Sequence, residues 1–422
     1  MVFGRIHGIV LAVVRSIHLQ PPAYGTKSHH RFLAGRRIGV EWWTTWKTIL
    51  TAEKLARLGK AENPSLSCAD EGRLAELFIE FLKDAITDGS LFNTWAIFRR
   101  NVPTLYEAII PPDKIAFADA LYRRWVALAA ADISNWIVIV PLEGVETMPA
   151  AITPHLMLLP AVDGDQWNQL RQRFPGLIEF DPVTGSLEDL SCFSRGLPQK
   201  RFSWVAFEAR ASASEARTQA ADETRTFLSI AFSAATSSNP SVLSKTGWTP
   251  TDRAVQFAET RDGRWVHAGI GNLVPPMSRM LILSEDLIDE IKKWYSAIEQ
   301  ATNQRSKRLI TASHFLHQAL LTTGTQQFIW YFIVLDALFG ERGRVERMIL
   351  SGIRQLNAPD KSWVERCRLL FDLRSALVHG EVSSIQTWQD LSTYRRLFYS
   401  EPLADVQEIA LTALRQFPFL IA

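Results

Sequence analysis

The chain has 422 residues, enough for two or three domains of ordinary size. With 47% hydrophobic and 21% charged residues, it is neither a long disordered chain nor a coiled-coil rod. Lys and Arg number 46 against 44 Asp and Glu, so a general polyanion binder is excluded and any nucleic-acid contact must come from a local patch. Cys68, Cys192 and Cys367 are odd in number, far apart and without a CxxC pair, which argues against a disulfide scaffold or structural zinc and fits a reducing compartment.

The N-terminus has the basic and apolar look of a leader. Its uninterrupted core, Ile9 to Val14, is too short for one, and Arg15 and His18 follow without a small-residue cleavage site. The expectation is a cytoplasmic protein whose first ~35 residues are poorly ordered. The first part, 1–132, is expected to be helical. Trp42, Trp43, Trp46, Ile49 and Leu50 recur at helical spacing, as do Leu74, Leu77, Phe78, Phe81, Leu82 and Ile86, with turn signals at Asp88-Gly89 and Pro111-Pro112. The tryptophans at that spacing suit a core better than a base-stacking platform.

The second part, 133–280, changes to α+β. Asn135–Pro141, His155–Pro160, Leu177–Asp181 and Phe202–Glu208 read as strands. A helix from about Ser214 to Ala235 follows, then a Ser/Thr/Pro-rich loop. Ala254–Glu259 and Arg264–Gly269 form a hairpin through Arg261-Asp262-Gly263. The third part, 281–422, is all helix. Leu287, Ile288, Ile291, Trp294, Tyr295 and Ile298 form one stripe, and Leu309, Ile310, Phe315, Leu316, Ala319 and Leu320 another. Phe328 to Phe339 is apolar on every side, too short to span a membrane, and belongs at the centre of a bundle. Ser362 and Glu365 have capping-box spacing, and the helix they open should stop at Gly380. Helical patterns continue over 387–399 and 403–417. The fold class is mainly α, with an α+β middle region and a C-terminal helical bundle.

Most strong enzyme signatures are missing. Gly25-Thr-Lys-Ser lacks the rest of a phosphate loop, Gly269-Ile-Gly271 is a lone GxG, and neither GxSxG nor HExxH occurs. His314 and His317, three apart on a helix, lack a third metal ligand, and His29-His30 suits an exposed basic loop. Asp181 with Glu208 and Arg210 has only a slight likeness to a metal-nuclease carboxylate set, since its final lysine is replaced by arginine. No cofactor or metal is expected.

The third part holds the sharper signal. Asp336 sits in an apolar helix, where a carboxylate is costly unless paired or solvated. Arg374 is the natural partner, because Leu370, Leu373 and Leu377 turn its helix toward the same core. On that basis Asp336→Ala is expected to cost ~3 kcal/mol. Arg374 and His379 also suggest chemistry. Arginine is a permanent fork suited to phosphate, and histidine exchanges a proton near neutral pH. Together they suit metal-independent RNA cleavage, with the base activating a ribose 2′-hydroxyl. The competing reading is structural: an Asp336–Arg374 pair, and His379 as a cation at the helix C-terminus. Five residues turn a helix by about 140°, so a shared site needs a loosened last turn or a second copy.

The stretch FIWYFIVLDALFGERG from Phe328, followed by a helix and then LFDLRSALVHGE from Leu370, resembles the HEPN superfamily, and within it the Apea-like group. The family signature of Arg, four to six residues, then His is here Arg374-SALV-His379, and Asp336 matches the acidic residue of the earlier helix. WIVIVPLEGV from Trp136 is similar to an upstream segment of the same group. The resemblance covers about 284–422, more softly 133–271, and nothing before Asp132. It implies a helical bundle, usually dimeric, with two Arg–His motifs meeting in one endoribonuclease site, in toxin or phage-defence systems. Arg374 would then position phosphate, His379 would be the general acid/base, and Asp336 would orient Arg374. Ser375 stands where a supporting polar residue is common, and no tyrosine follows His379. Other family members are non-catalytic modules that bind RNA, nucleotide or protein.

The third part is balanced in charge, but Arg305, Lys307 and Arg308, and then Arg342, Arg344 and Arg347, form local groups. They are candidates to track an RNA backbone, or simply solvated faces. The expected partners are RNA, a second copy through the C-terminal helices, and a protein or nucleotide trigger, with no membrane.

Overall fold

The computed structural model describes residues 2–22, 26–32, 39–86, 88–142, 144–160, 164–181, 186–187, 203–238, 253–258, 265–269, 273–276, 280–356 and 362–420. The chain is mainly helical with a small sheet region in its middle. It divides into two compact units. One is Met1–Ser134 with Arg210–Glu215, and the other is Asn135–Ala209 with Ala216–Ala422. No described helix is long and apolar enough to cross a membrane.

The first unit opens with α1 (Val2–Arg15), against the expectation of a poorly ordered start. Ile6, Val10, Val13 and Val14 recur at helical spacing and are buried in the unit's core, which is why the segment folds. The strands β1 (Thr26–Phe32) and β2 (Gly39–Thr45) pair antiparallel, and α2 (Trp46–Glu62) follows directly. Trp42 and Trp43 therefore lie on a strand, correcting their expected helix. The aromatic and β-branched residues of VEWWTT suit a pleated ladder. The helix begins only at Thr45, whose N–H donates to the Thr48 hydroxyl. Trp42 is core, whereas Trp46, Ile49 and Leu50 are exposed. The unit is completed by α3 (Glu71–Ala85), α4 (Thr94–Arg99) and α5 (Lys114–Asp132). Asp70, Asn93 and Asp113 cap these three helices by accepting backbone N–H groups of the first turn.

In the second unit the strands are β3 (Ser134–Leu142), β4 (Val145–Thr147), β5 (Ala150–Ala151), β6 (Leu156–Leu159), β7 (Phe180–Asp181), β8 (Ser186–Leu187), β9 (Ser203–Ala211), β10 (Arg253–Ala258), β11 (Trp265–Gly269) and β12 (Leu281–Leu283). Six of them form one sheet in the order β11-β10-β3-β9-β6-β5. The β10–β11 and β10–β3 pairings are antiparallel, so the strands on either side of the next helix close into the same sheet. Ile137 and Ile139 face α6 (Asp165–Arg173), where Trp167 and Leu170 cover them together with Phe174. Val138 and Val140, on the opposite face, are also buried. Burial on both faces explains why WIVIV reads as an unbroken apolar run. Leu177–Asp181 is mostly 3-10 helix over Pro175–Glu179, and only Phe180–Asp181 is strand.

The helices of this unit are α6, α7 (Ala213–Ser238, from Ala216), α8 (Glu285–Glu299), α9 (Asn303–Leu321), α10 (Gly324–Phe339), α11 (Val345–Gln355), α12 (Trp363–Val378), α13 (Leu391–Phe398) and α14 (Pro402–Gln416). The sequence division assigns α7 to the sheet region. It also bonds to the helical bundle: the Ser229 hydroxyl donates to the Ser313 carbonyl of α9, and the Ser233 hydroxyl to the Leu411 carbonyl of α14. Helix α10 is central, packing on α9, α11, α12 and α14. Gly352 of α11 allows a close approach, since a Cβ there would lie 2.2 Å from the Phe339 ring. Ser362 does not form the expected capping box. Its hydroxyl accepts from Arg366 Nε at 2.7 Å.

Candidate functional site

Helix α12 carries the Arg–His pair on its last two turns. Leu370 and Leu373 are buried and fix the helix, leaving Ser375 and His379 exposed and Arg374 partly so. The helix ends as a Schellman turn. His379 is the cap residue, Gly380 takes φ 77°, and the Glu381 N–H reaches the Ala376 carbonyl at 2.8 Å. The last turn is therefore regular, and within one chain the two side chains leave the helix about 140° apart. Val378, 54% exposed, lies on the surface between them. Neither Arg374 nor His379 makes an ion pair or side-chain hydrogen bond among the described residues.

The expected Asp336–Arg374 ion pair is not formed. Both residues line one small cavity with Phe332, Ile333, Val345, Ile349 and Phe371, without coming within salt-bridge distance. The Asp336 carboxylate instead lies against Gly340 at the end of its own helix. A Cβ on Gly340 would sit 1.8 Å from Asp336 Oδ1, and the Gly340 N–H donates to the Asp336 carbonyl at 2.7 Å. Asp336 is also only partly buried, so water meets part of the desolvation cost that seemed to demand a cation.

Two of the proposed RNA-tracking cations are structural. Arg308 donates to the Leu338 and Gly340 carbonyls at 2.8 and 3.0 Å, satisfying the free C-terminal carbonyls of α10. Arg305 holds the Phe417 and Leu420 carbonyls and lies over the Phe417 ring. Arg344 pairs with Glu341 at 2.8 Å, whereas Lys307, Arg342 and Arg347 are exposed.

The remaining sequence candidates separate. His314 is exposed, but His317 is buried and its Nε2–H donates to the Leu273 carbonyl. Burial holds the His317 ring at a pKa of about 4, so it is neutral. Glu208 is committed to Arg173 through a two-toothed ion pair. The side chains of Asp181, His29 and His30 lie outside the described residues, as do Cys192, the hairpin turn and 239–252 of the Ser/Thr/Pro-rich loop, whose expected start at Thr236 is still helix to Ser238. Cys68 and Cys367 are free thiols, and burial pushes Cys367 up to about 12. Among the described residues no group of three or more His, Cys, Asp or Glu is placed to hold a metal ion.

Sequence reasoning missed a buried network around Asp405. Its carboxylate accepts from Arg366 at 2.8 Å, from Ser400 at 2.6 Å and from the Tyr394 hydroxyl. Burial and the carboxylate raise the Tyr394 phenol, which remains a donor. The signal was available: Asp405 lies on the same stripe as the buried Pro402, Val406 and Ile409.

Comparison with protein-family models, with curated proteins and with solved structures returns no match for this chain.

Proposed function

We propose that the chain is a metal-independent endoribonuclease of HEPN type, acting as a regulated toxin or phage-defence effector. The observation that supports it is an arginine and a histidine, both without side-chain partners among the described residues, at one solvent-facing helix end beside Ser375. His379 takes the ribose 2′-hydroxyl proton as the 2′-oxygen attacks phosphorus. The bond to the 5′-oxygen breaks and that oxygen is reprotonated, leaving a 2′,3′-cyclic phosphate and a 5′-hydroxyl. Arg374 stabilises the charge that builds on the non-bridging oxygens. Since the regular helix points the two side chains apart, the complete site takes Arg374 from one copy and His379 from a second. The first unit and the sheet then serve to sense a protein or nucleotide trigger.

That same regular last turn favours a second reading, a non-catalytic module that binds RNA, a nucleotide or a protein partner. Incubating wild type and the Arg374→Ala/His379→Ala variant with total RNA in EDTA separates them. Fragments ending in 2′,3′-cyclic phosphate from wild type alone support the nuclease. Cleavage that requires a divalent ion overturns the Arg–His mechanism. Intact RNA in both samples, with no growth arrest when wild type is overexpressed, favours the binding module.

A further inference from the structure

A second group of residues with its own chemistry, none of them from α12, lies where α8 ends and α9 begins. The C-terminal half of α8 and its cap residue Gln300 place Lys292, Lys293, Ser296 and Gln300 on one face by their three- and four-residue spacing. These residues line an open groove of about 770 Å³ together with Arg305 and with Phe419 of the C-terminal turn. That volume is in the range of sites for small organic ligands.

The groove is built rather than incidental. Arg305 grips the carbonyls of Phe417 and Leu420, and its guanidinium stacks on the Phe417 ring at 5.1 Å. This fixes the turn over Phe417–Phe419, so the Phe419 ring stands 58% exposed at the rim instead of folding into the core. An exposed ring beside cations offers a face on which a planar group can stack. The electrostatics are one-sided. Lys292, Lys293 and Arg305 face a single carboxylate, Asp289, which is exposed and pairs with Lys292 at 3.6 Å. Lys293 is exposed and has no partner among the described residues. Arg305 donates to both backbone carbonyls through Nη2, which holds its guanidinium at the groove where it contributes field, while Lys293, and Lys292 beside the exposed Asp289, can contact a ligand.

We propose that this groove binds a nucleoside phosphate, with the phosphate at Lys292 and Lys293, the base on the Phe419 ring, and Ser296 and Gln300 as hydrogen-bonding groups for the sugar or base edge. Cations beside an exposed ring are the combination that base and phosphate together require. A simple anion would use the lysines and leave the ring bare, and an apolar ligand would leave the lysines unpaired. The site does not depend on Arg374 or His379. The ligand is either a free nucleotide or one nucleotide of an RNA strand held away from the cut.

Titration calorimetry on the full chain with AMP, ATP, inorganic phosphate and an octaribonucleotide tests this. Lys292→Glu/Lys293→Glu should weaken every phosphate-bearing probe by about tenfold or more, and Phe419→Ala should weaken the nucleotides by about tenfold while leaving inorganic phosphate unchanged. These side chains are on the surface, so thermal melting should not move. Arg374→Ala/His379→Ala should leave AMP and ATP binding intact, which separates failure of this proposal from failure of the nuclease reading; the octamer is titrated into that variant, so that it is not cut and does not report the Arg–His site. Preference for AMP or ATP identifies a free nucleotide, and preference for the octamer identifies a strand. Failure of AMP, ATP and the octamer to bind at millimolar concentration, or affinities indifferent to both variants, overturns it.

Discussion

At the scale of single residues, the decisive question is what each candidate side chain touches. His379 caps a helix with its backbone and has an exposed ring. His379→Ala should therefore abolish RNA cleavage with melting unchanged within about 0.5 kcal/mol. A comparable fall in both would assign the histidine to structure. Asp336 differs. Because no cation among the described residues pairs with it, Asp336→Ala should cost less than about 1 kcal/mol, well under the buried-pair expectation. A thermal melt reads the difference directly, and a loss near 3 kcal/mol would restore the ion pair. The residues of the motif were legible because Arg and His at a helix end form a local pattern. Their relation to Asp336 was not. Whether two side chains on different helices meet depends on helix rotation and on small neighbours such as Gly340, which no spacing rule encodes.

Elements were legible where one period dominated. The apolar α10, the Gly380 stop and the two-sided strand β3 follow from patterns within single segments. Errors arose where adjoining elements share apolar residues without a break, as at Trp42 to Leu50, where strand β2 passes into helix α2. The burial of Asp405 was legible from its stripe, but its partners were not, because they come from other helices. Asp405 joins α14 to α12 and α13, with side-chain exposures of 5% for Asp405 and 15% for Arg366. Removing one partner leaves the other charge buried, so Asp405→Ala should destabilise the chain by ~3 kcal/mol in denaturant unfolding, with no change in the residues of the Arg–His pair. A loss below 1 kcal/mol would mean that water already reaches Arg366.

At the scale of the whole molecule, the sequence separates sheet from bundle at 280, whereas contacts put both in one unit. The tie that spacing cannot reveal is His317, whose ring on α9 bonds the carbonyl of Leu273, in the segment after the sheet strands. With Nε2–H donating, Nδ1 is a buried acceptor with no hydrogen-bond partner among the described residues. Protonation would place an unpaired cation there, near Arg225 and His314, which also lower the pKa. The folded value, about 4, is below the ordinary 6.5. The unfolded state therefore binds the proton first as the pH falls. The stability contributed by neutral His317 is complete above pH 6.5 and is lost toward pH 4, by about 2 kcal/mol between pH 7 and 5. Glu223 acts in the opposite sense, because burial raises its pKa and acid then favours its folded form. The test is therefore a difference. Wild type should lose stability between pH 7 and 5 by about 2 kcal/mol more than His317→Gln, which keeps an N–H for Leu273 but cannot titrate. Equal losses in the two proteins would show that His317 is solvated or paired when protonated, and that acid acts on this fold elsewhere.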